Sequence, residues 1–254
     1  MKAITISDAD DFSALVSGLA ADVIDAHIYW GMAKTLREQL TQWPEVGSEA
    51  QTFWYYTQTA HRRTALASLA RAYDTERSAL HLCTWLVTIR QNPHLFTAEA
   101  LKARRPTDPF VKWVLVSTEP PNAGQLDADI SACSTSDPDV SALLRLRHNF
   151  IGHRSAELTK QAARVHAAPT PRGLASVVPQ LYDDQIERLL ERAVTILNRY
   201  SLLFSASGYG TKPVGHDDVE RIFRGVQRDL NRMKADIEAQ AALIAPSVSP
   251  PQYP

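Results

Sequence analysis

The chain has 254 residues, of which 44% are apolar and 22% charged, and its net charge is −1. That is enough apolar side chain for a sizeable core, while the near-neutral balance gives no global pull towards nucleic acid or an anionic membrane. Two cysteines, Cys83 and Cys133, are too few for a disulfide framework or a four-thiolate zinc site.

The opening MKAITISDADDF has no apolar run of signal-peptide length. No stretch of about 18 uncharged apolar residues occurs, so no transmembrane helix is expected. The expected location is the cytoplasm, with no membrane partner. Phe12, Leu15, Val16, Leu19, Val23 and Ile24 recur at intervals of three and four, the period of a helix. A second helix is expected to open on a capping box at Ser48-Glu49-Ala50-Gln51 and to run through Phe53-Trp54-Tyr55-Tyr56 towards Tyr73. Those four aromatics cannot all face one core, so one or two are expected at the surface. A third helix is expected from Ser78 to about Arg90, ending near Pro93.

Residues 106–139 contain Pro106, Pro109, Pro120, Pro121 and Gly124, and read as a long irregular loop. Within it Phe110 to Val116 fits either a short strand or a buried helical turn. Asp137 as N-cap and Pro138 at the first helical position then start a helix reaching about His153. A Pro-containing loop follows over His166–Pro179. Ile186, Leu189, Leu190, Ala193, Leu197, Tyr200 and Phe204 trace one face of a long helix. After a Gly-rich link, Val219, Ile222, Val226, Leu230, Met233 and Ile237 form the seam of a last helix, and a Pro-rich tail ends the chain. The expected architecture is an all-α bundle over residues 1–205, a C-terminal helix over 206–245 packed on that bundle or on a second subunit, and a disordered tail over 246–254.

No phosphate loop, dinucleotide fingerprint, His-Glu-x-x-His, paired Cys-x-x-Cys or Gly-x-Ser-x-Gly is present, so no cofactor or metal is implied. The informative helix is the one after Pro138. Val140, Leu143, Leu144, Phe150 and Ile151 make one apolar stripe, and Arg147 falls in its middle. An unpaired buried guanidinium costs several kcal/mol, on the order of a lost ion pair or more. Arg147 therefore needs a buried acid, a subunit interface or an anion in a cleft, unless it reaches the surface along its own stem. A buried carboxylate from the same subunit favours a purely structural role. His153 lies six residues on, about 120° round an ideal helix, but Gly152 can end the helix and let it swing back. From Leu143 to Arg172 the chain carries six basic residues and one acid, a net +5 that leaves −6 elsewhere. That patch suits phosphate, and a solvated helix face suits it equally.

Arg147-His148-Asn149-Phe150-Ile151-Gly152-His153 resembles the signature of HEPN domains: Arg, a polar residue, and His after four to six intervening positions. Ala72-Tyr73-Asp74 and Ile196-Leu197-Asn198-Arg199-Tyr200-Ser201 resemble the abortive-infection, AbiU-like branch of that superfamily, so the resemblance covers about residues 10–205. It implies a helical bundle that commonly dimerises, with Arg and His of two subunits lining one cleft. Active members are metal-independent endoribonucleases of phage-defence or toxin–antitoxin systems; others bind RNA or a protein partner without cleaving. Arg147 and His153 are then the expected catalytic pair, with His148 and Asn149 supporting, and Arg145, Arg154, Lys160 and Arg164 contacting RNA. Some HEPN toxins carry Tyr two residues after the His, a target for adenylylation; here Ser155 stands there, and that control is not expected. Three functions follow: a homodimeric endoribonuclease with RNA and an antitoxin or defence protein as partners, a catalytically silent HEPN module, or an unrelated helical scaffold.

Overall fold

In the computed structural model, residues 2–117, 120–148, 160, 181–212 and 217–244 are described. They form ten α-helices and one short 3₁₀ turn, and no strand occurs among them. In chain order the helices are α1 (Ala9–Gln42), α2 (Pro44–Glu49), α3 (Gln51–Ala72), α4 (Leu82–Gln91), α5 (Ala98–Arg104), α6 (Phe110–Ser117), α7 (Ala123–Ala132), α8 (Pro138–Leu146), α9 (Asp183–Ser205) and α10 (Asp218–Ile244). The all-α expectation holds. The chain gathers into two compact units, residues 1–30 with 61–213 and residues 31–60 with 214–254.

Asp8 starts α1: its side chain accepts from the amides of Asp10 and Asp11, both at 2.9 Å. With no proline before Pro44, the helix runs on for 34 residues. Pro44 ends it, because the residue before a proline is pushed out of helical geometry. Pro44 also opens α2. The capping box expected at Ser48 does not form. Ser48 lies inside α2 and its hydroxyl donates back to the Glu45 carbonyl at 2.7 Å, so the earlier proline start has displaced it. α4 likewise begins later than the sequence suggests. His81, not Ser78, caps it, its ring accepting from the Thr84 amide while the Thr84 hydroxyl accepts from the His81 amide.

The first unit is built round Phe12, whose ring meets Phe204 at 4.7 Å, Phe96 edge-on at 5.5 Å and Trp85 at 6.1 Å. Val16, Leu19 and Val23 of α1 continue this core against Leu69, Leu82, Leu86 and Ile89. All seven residues traced along α9 are buried in it. The segment 106–139, expected to be an irregular loop, instead holds α6 and α7. Asn122 accepts from the Gln125 amide at 2.8 Å to start α7, and the prolines fall in the turns between helices rather than inside them. α6 resolves the ambiguity of Phe110–Val116: it is helical, with Val111 and Val114 packed on Leu101 and Ala206. Ala206 ends α9 in the left-handed region, at φ 53°.

The second unit has a small core of Leu36, Val46 and Phe223. Trp54 packs on Phe223 at 4.8 Å and its indole donates to the Val46 carbonyl at 3.1 Å. Phe53, Tyr55 and Tyr56 are exposed. α10 is held by Val219, Val226 and Leu230 flanking Phe223, and by Lys234 donating to Glu45 at 2.7 Å. Ile222, Met233 and Ile237, assigned to its seam from sequence, are exposed instead. The packed face of α10 keeps Val219, Val226 and Leu230 of that seam and adds Phe223 in place of Ile222.

Candidate functional site

α8 is fixed at its start and along its inner face before it delivers Arg147. At its start Asp137 accepts from the amides of Asp139 and Val140 at 2.9 and 3.1 Å. Asp137 also pairs with Arg192 of α9 at 2.8 Å. Asp139 takes Gln185 at 2.7 Å and Arg188 at 2.9 Å. Val140 and Leu143 bury the inner face completely. α8 therefore cannot roll on α9 without breaking buried apolar contact and these charge-assisted bonds. Beyond Leu146, Arg147 and His148 continue in π-type helical geometry, a wider turn found often at functional sites.

Arg147 meets Asp74, its NH1 donating to Oδ1 at 2.7 Å. Asp74 lies just past the end of α3, and that position is pinned. Tyr73 is fully buried, and its hydroxyl donates to the Leu189 carbonyl of α9 at 2.7 Å. The same Oδ1 accepts from the amides of Thr75 at 2.7 Å and Glu76 at 3.3 Å. Burial alone raises a carboxyl; here the Thr75 amide, the Arg147 guanidinium and the Glu76 amide together outweigh it and hold Asp74 below its ordinary value. His81 closes the turn after Asp74, with Nε2 at 3.2 Å from the Glu76 carbonyl. Nδ1 of His81 accepts from Thr84, so Nε2 carries the proton that goes to Glu76. Burial lowers the His81 pKa, opposed by the Glu76 carbonyl and by Asp74, which suits this neutral tautomer.

The pair is not sealed. The Arg147 side chain is 40% exposed and that of Asp74 only 12%. Asp74 engages NH1, and part of the guanidinium side chain remains exposed to solvent. Arg145, His148 and Lys160 are exposed. His153, Asn149, Arg154 and Arg164, with the His166–Pro179 loop and the tail from residue 246, lie outside the described residues.

Asp74 was not singled out as Arg147's partner from sequence, although Ala72-Tyr73-Asp74 stood among the resembling segments. The other such segment proves architectural. Asn198 clamps Tyr209 through both amide atoms, at 2.6 and 3.1 Å. Arg199 and Tyr200 converge on Asp129, at 2.5 and 2.7 Å. On α3, Arg62 pairs with Asp183 at 3.0 Å and lies over the Trp30 ring, and His61 stacks on Tyr29.

Among the described residues no group of three His, Cys, Asp or Glu side chains could hold a metal ion. No described helix is long and apolar enough to cross a membrane. An all-helical bundle that presents Arg147 at the end of a braced helix, inside an Arg-x5-His segment, is of the HEPN type. The comparison with known families agrees and is narrower: the HEPN family described as AbiU2 matches residues 9–223, and the chain belongs to that family. No curated protein and no solved structure matches it.

Proposed function

We propose that this abortive-infection HEPN protein is a metal-independent endoribonuclease acting as a homodimer. The reading is carried by the AbiU2 family match together with the partly exposed Arg147. The Asp74 pair alone favours a structural role, as expected for a buried carboxylate of the same subunit, but it leaves the Arg147 side chain 40% exposed. A guanidinium is fixed at 2.7 Å by a carboxylate buried behind it, with part of its side chain open to solvent. Such a group is already oriented when a phosphate arrives, so little rotamer freedom is lost on binding. In the proposed reaction His153 removes the proton from a ribose 2′-hydroxyl, whose oxygen attacks the adjacent phosphorus. Arg147 stabilises the charge that builds on the phosphorane. The 5′-oxygen leaves and takes up a proton from solvent water, giving a 2′,3′-cyclic phosphate and a 5′-hydroxyl, while His153 returns its proton to solvent. His148 and Asn149 assist in orienting the phosphate, and Arg145, Arg154, Lys160 and Arg164 hold the flanking backbone. An antitoxin or defence protein as regulator belongs to the same proposal.

The test is incubation of the purified chain with total RNA in EDTA, beside Arg147→Ala and His153→Ala. Cleavage is expected for the parent chain, leaving 2′,3′-cyclic phosphate ends, and is expected to vanish in both variants. Cleavage that survives either substitution refutes the assignment. The second reading is a non-catalytic HEPN module, and the same pair favours it: a carboxylate from the same subunit satisfies Arg147 without any substrate. It predicts no cleavage by the parent chain and a loss of stability in Arg147→Ala.

A further inference from the structure

α5 and α6 carry a feature that the Arg147 site does not use. α6 turns Val111 and Val114 inward onto Leu101 of α5 and Ala206. On its outer side Phe110 and Trp113 are 44% and 54% exposed. Their rings stack on each other, 4.7 Å apart and 24° from parallel. Lys102, Arg105 and Lys112 are exposed on the same two short helices and the turn between them. Between Lys102 and Lys112 the only acid in the sequence is Asp108, and its carboxylate already accepts from the Phe110 amide at 2.9 Å.

The mount beneath is firm. Arg104 donates to the carbonyls of Phe204 and Leu95, and its guanidinium lies 4.2 Å from the centre of the Phe204 ring. α5 is thereby tied to the end of α9, and Arg104 is spent on structure while its neighbours point to solvent. Two half-exposed aromatic rings, with three cations against the two acids Glu99 and Asp108 on these helices and their turn, suit a ligand with both flat faces and negative charge.

We propose that Phe110 and Trp113, with Lys102, Arg105 and Lys112, form a docking platform for single-stranded RNA. It rests on the ribonuclease reading for the identity of the strand, and it adds a substrate-holding surface on helices other than the one that carries Arg147. Unpaired bases stack on the two rings, which tolerate any sequence because every base has a flat π face. The three cations track the phosphates and make the binding salt-dependent.

The experiment uses the full chain carrying His153→Ala, so that bound RNA stays intact, and a fluorescein-labelled 12-nucleotide oligouridine read by anisotropy. Trp113→Ala is expected to weaken binding roughly tenfold or more. Trp113→Phe is expected to restore most of it. Lys112→Ala is expected to lower the slope of log affinity against log salt by about 0.7. An affinity within twofold of the parent for Trp113→Ala, with an unchanged thermal melt, overturns the platform. So does Trp113-dependent binding to vesicles of anionic phospholipid with RNA affinity unchanged. A chain that cleaves RNA but binds it independently of Trp113 overturns the platform alone. Trp113-dependent binding together with no cleavage of total RNA by the parent chain, His153 intact, overturns the ribonuclease reading alone.

Discussion

Replacing Asp129 with alanine is expected to destabilise the protein by about 3 kcal/mol. The magnitude comes from what the carboxylate leaves behind. Its side chain is 9% exposed and that of Arg199, at 2.5 Å, is 35% exposed. Breaking a fully buried ion pair costs about 3–5 kcal/mol, and the solvent that reaches Arg199 reduces this to about 2. The Tyr200 hydroxyl, 2.7 Å from the same oxygen, loses its acceptor in a fully buried position, which adds about 1 kcal/mol. The Gln125 amide, at 3.0 Å from the other oxygen, can turn to water and adds little. With a urea slope of about 2 kcal/mol/M, the midpoint falls by about 1.5 M. Tyr200→Phe is the matched control: it keeps the ring and the Arg199–Asp129 pair, and costs about 1 kcal/mol. Urea unfolding followed by circular dichroism at 222 nm measures both, and the double variant gives their coupling. A loss under about 1 kcal/mol for Asp129→Ala, or strict additivity with Tyr200→Phe, refutes the convergence of those groups on one carboxylate.

The Asp74–Arg147 pair predicts a pH dependence. Because Asp74 is held below its ordinary value in the folded chain, its contribution is full above the unfolded carboxyl value of about 3.9 and is lost as pH falls through the lower folded value. Asp74→Asn should remove that part of the acid destabilisation, so the melting temperatures of parent and variant should converge below about pH 4; curves that stay parallel down to pH 2 refute it. In the second unit, Phe223→Ala removes the buried partner of Trp54 and should cost about 3 kcal/mol. Amide exchange across α10 should then accelerate while α9 keeps its protection; equal acceleration in both helices refutes a local role.

The helices were legible in the sequence wherever the apolar period ran unbroken. Phe12 to Ile24 and Ile186 to Phe204 bury the faces their spacing assigns. What failed was local competition. Ser48 had the residues of a capping box, but Pro44 started a helix first and left its hydroxyl to bond backwards. The prolines of 106–139 suggested continuous loop, yet each falls where a helix begins or ends, and eight- and ten-residue helices fit between them. On α10 half of the seam was right: Val219, Val226 and Leu230 pack as assigned, while Ile222, Met233 and Ile237 are exposed, because period alone does not say whether Ile222 or Phe223 meets a neighbour.

At the site, Arg147 was readable as a misplaced charge. Its partner was not, because Asp74 sits 73 positions earlier and nothing in the spacing joins them. Only the fold places the end of α3 beside the end of α8. The Asn198-Arg199-Tyr200 segment carried family resemblance for a different reason: it fastens α9 to Asp129 and to Tyr209. Resemblance marked both segments and did not separate the one that meets Arg147 from the one that holds the bundle together.

The small core has a consequence for synthesis. Leu36, Val46 and Trp54 emerge from the ribosome well before Phe223, which packs with them and follows Trp54 by 169 positions. Until then those side chains stand bare, an apolar target for trigger-type chaperones and a liability for aggregation. Synthesis of α10 hides them, so a copy that stops short of α10 would remain marked for removal by the very surface that this helix conceals.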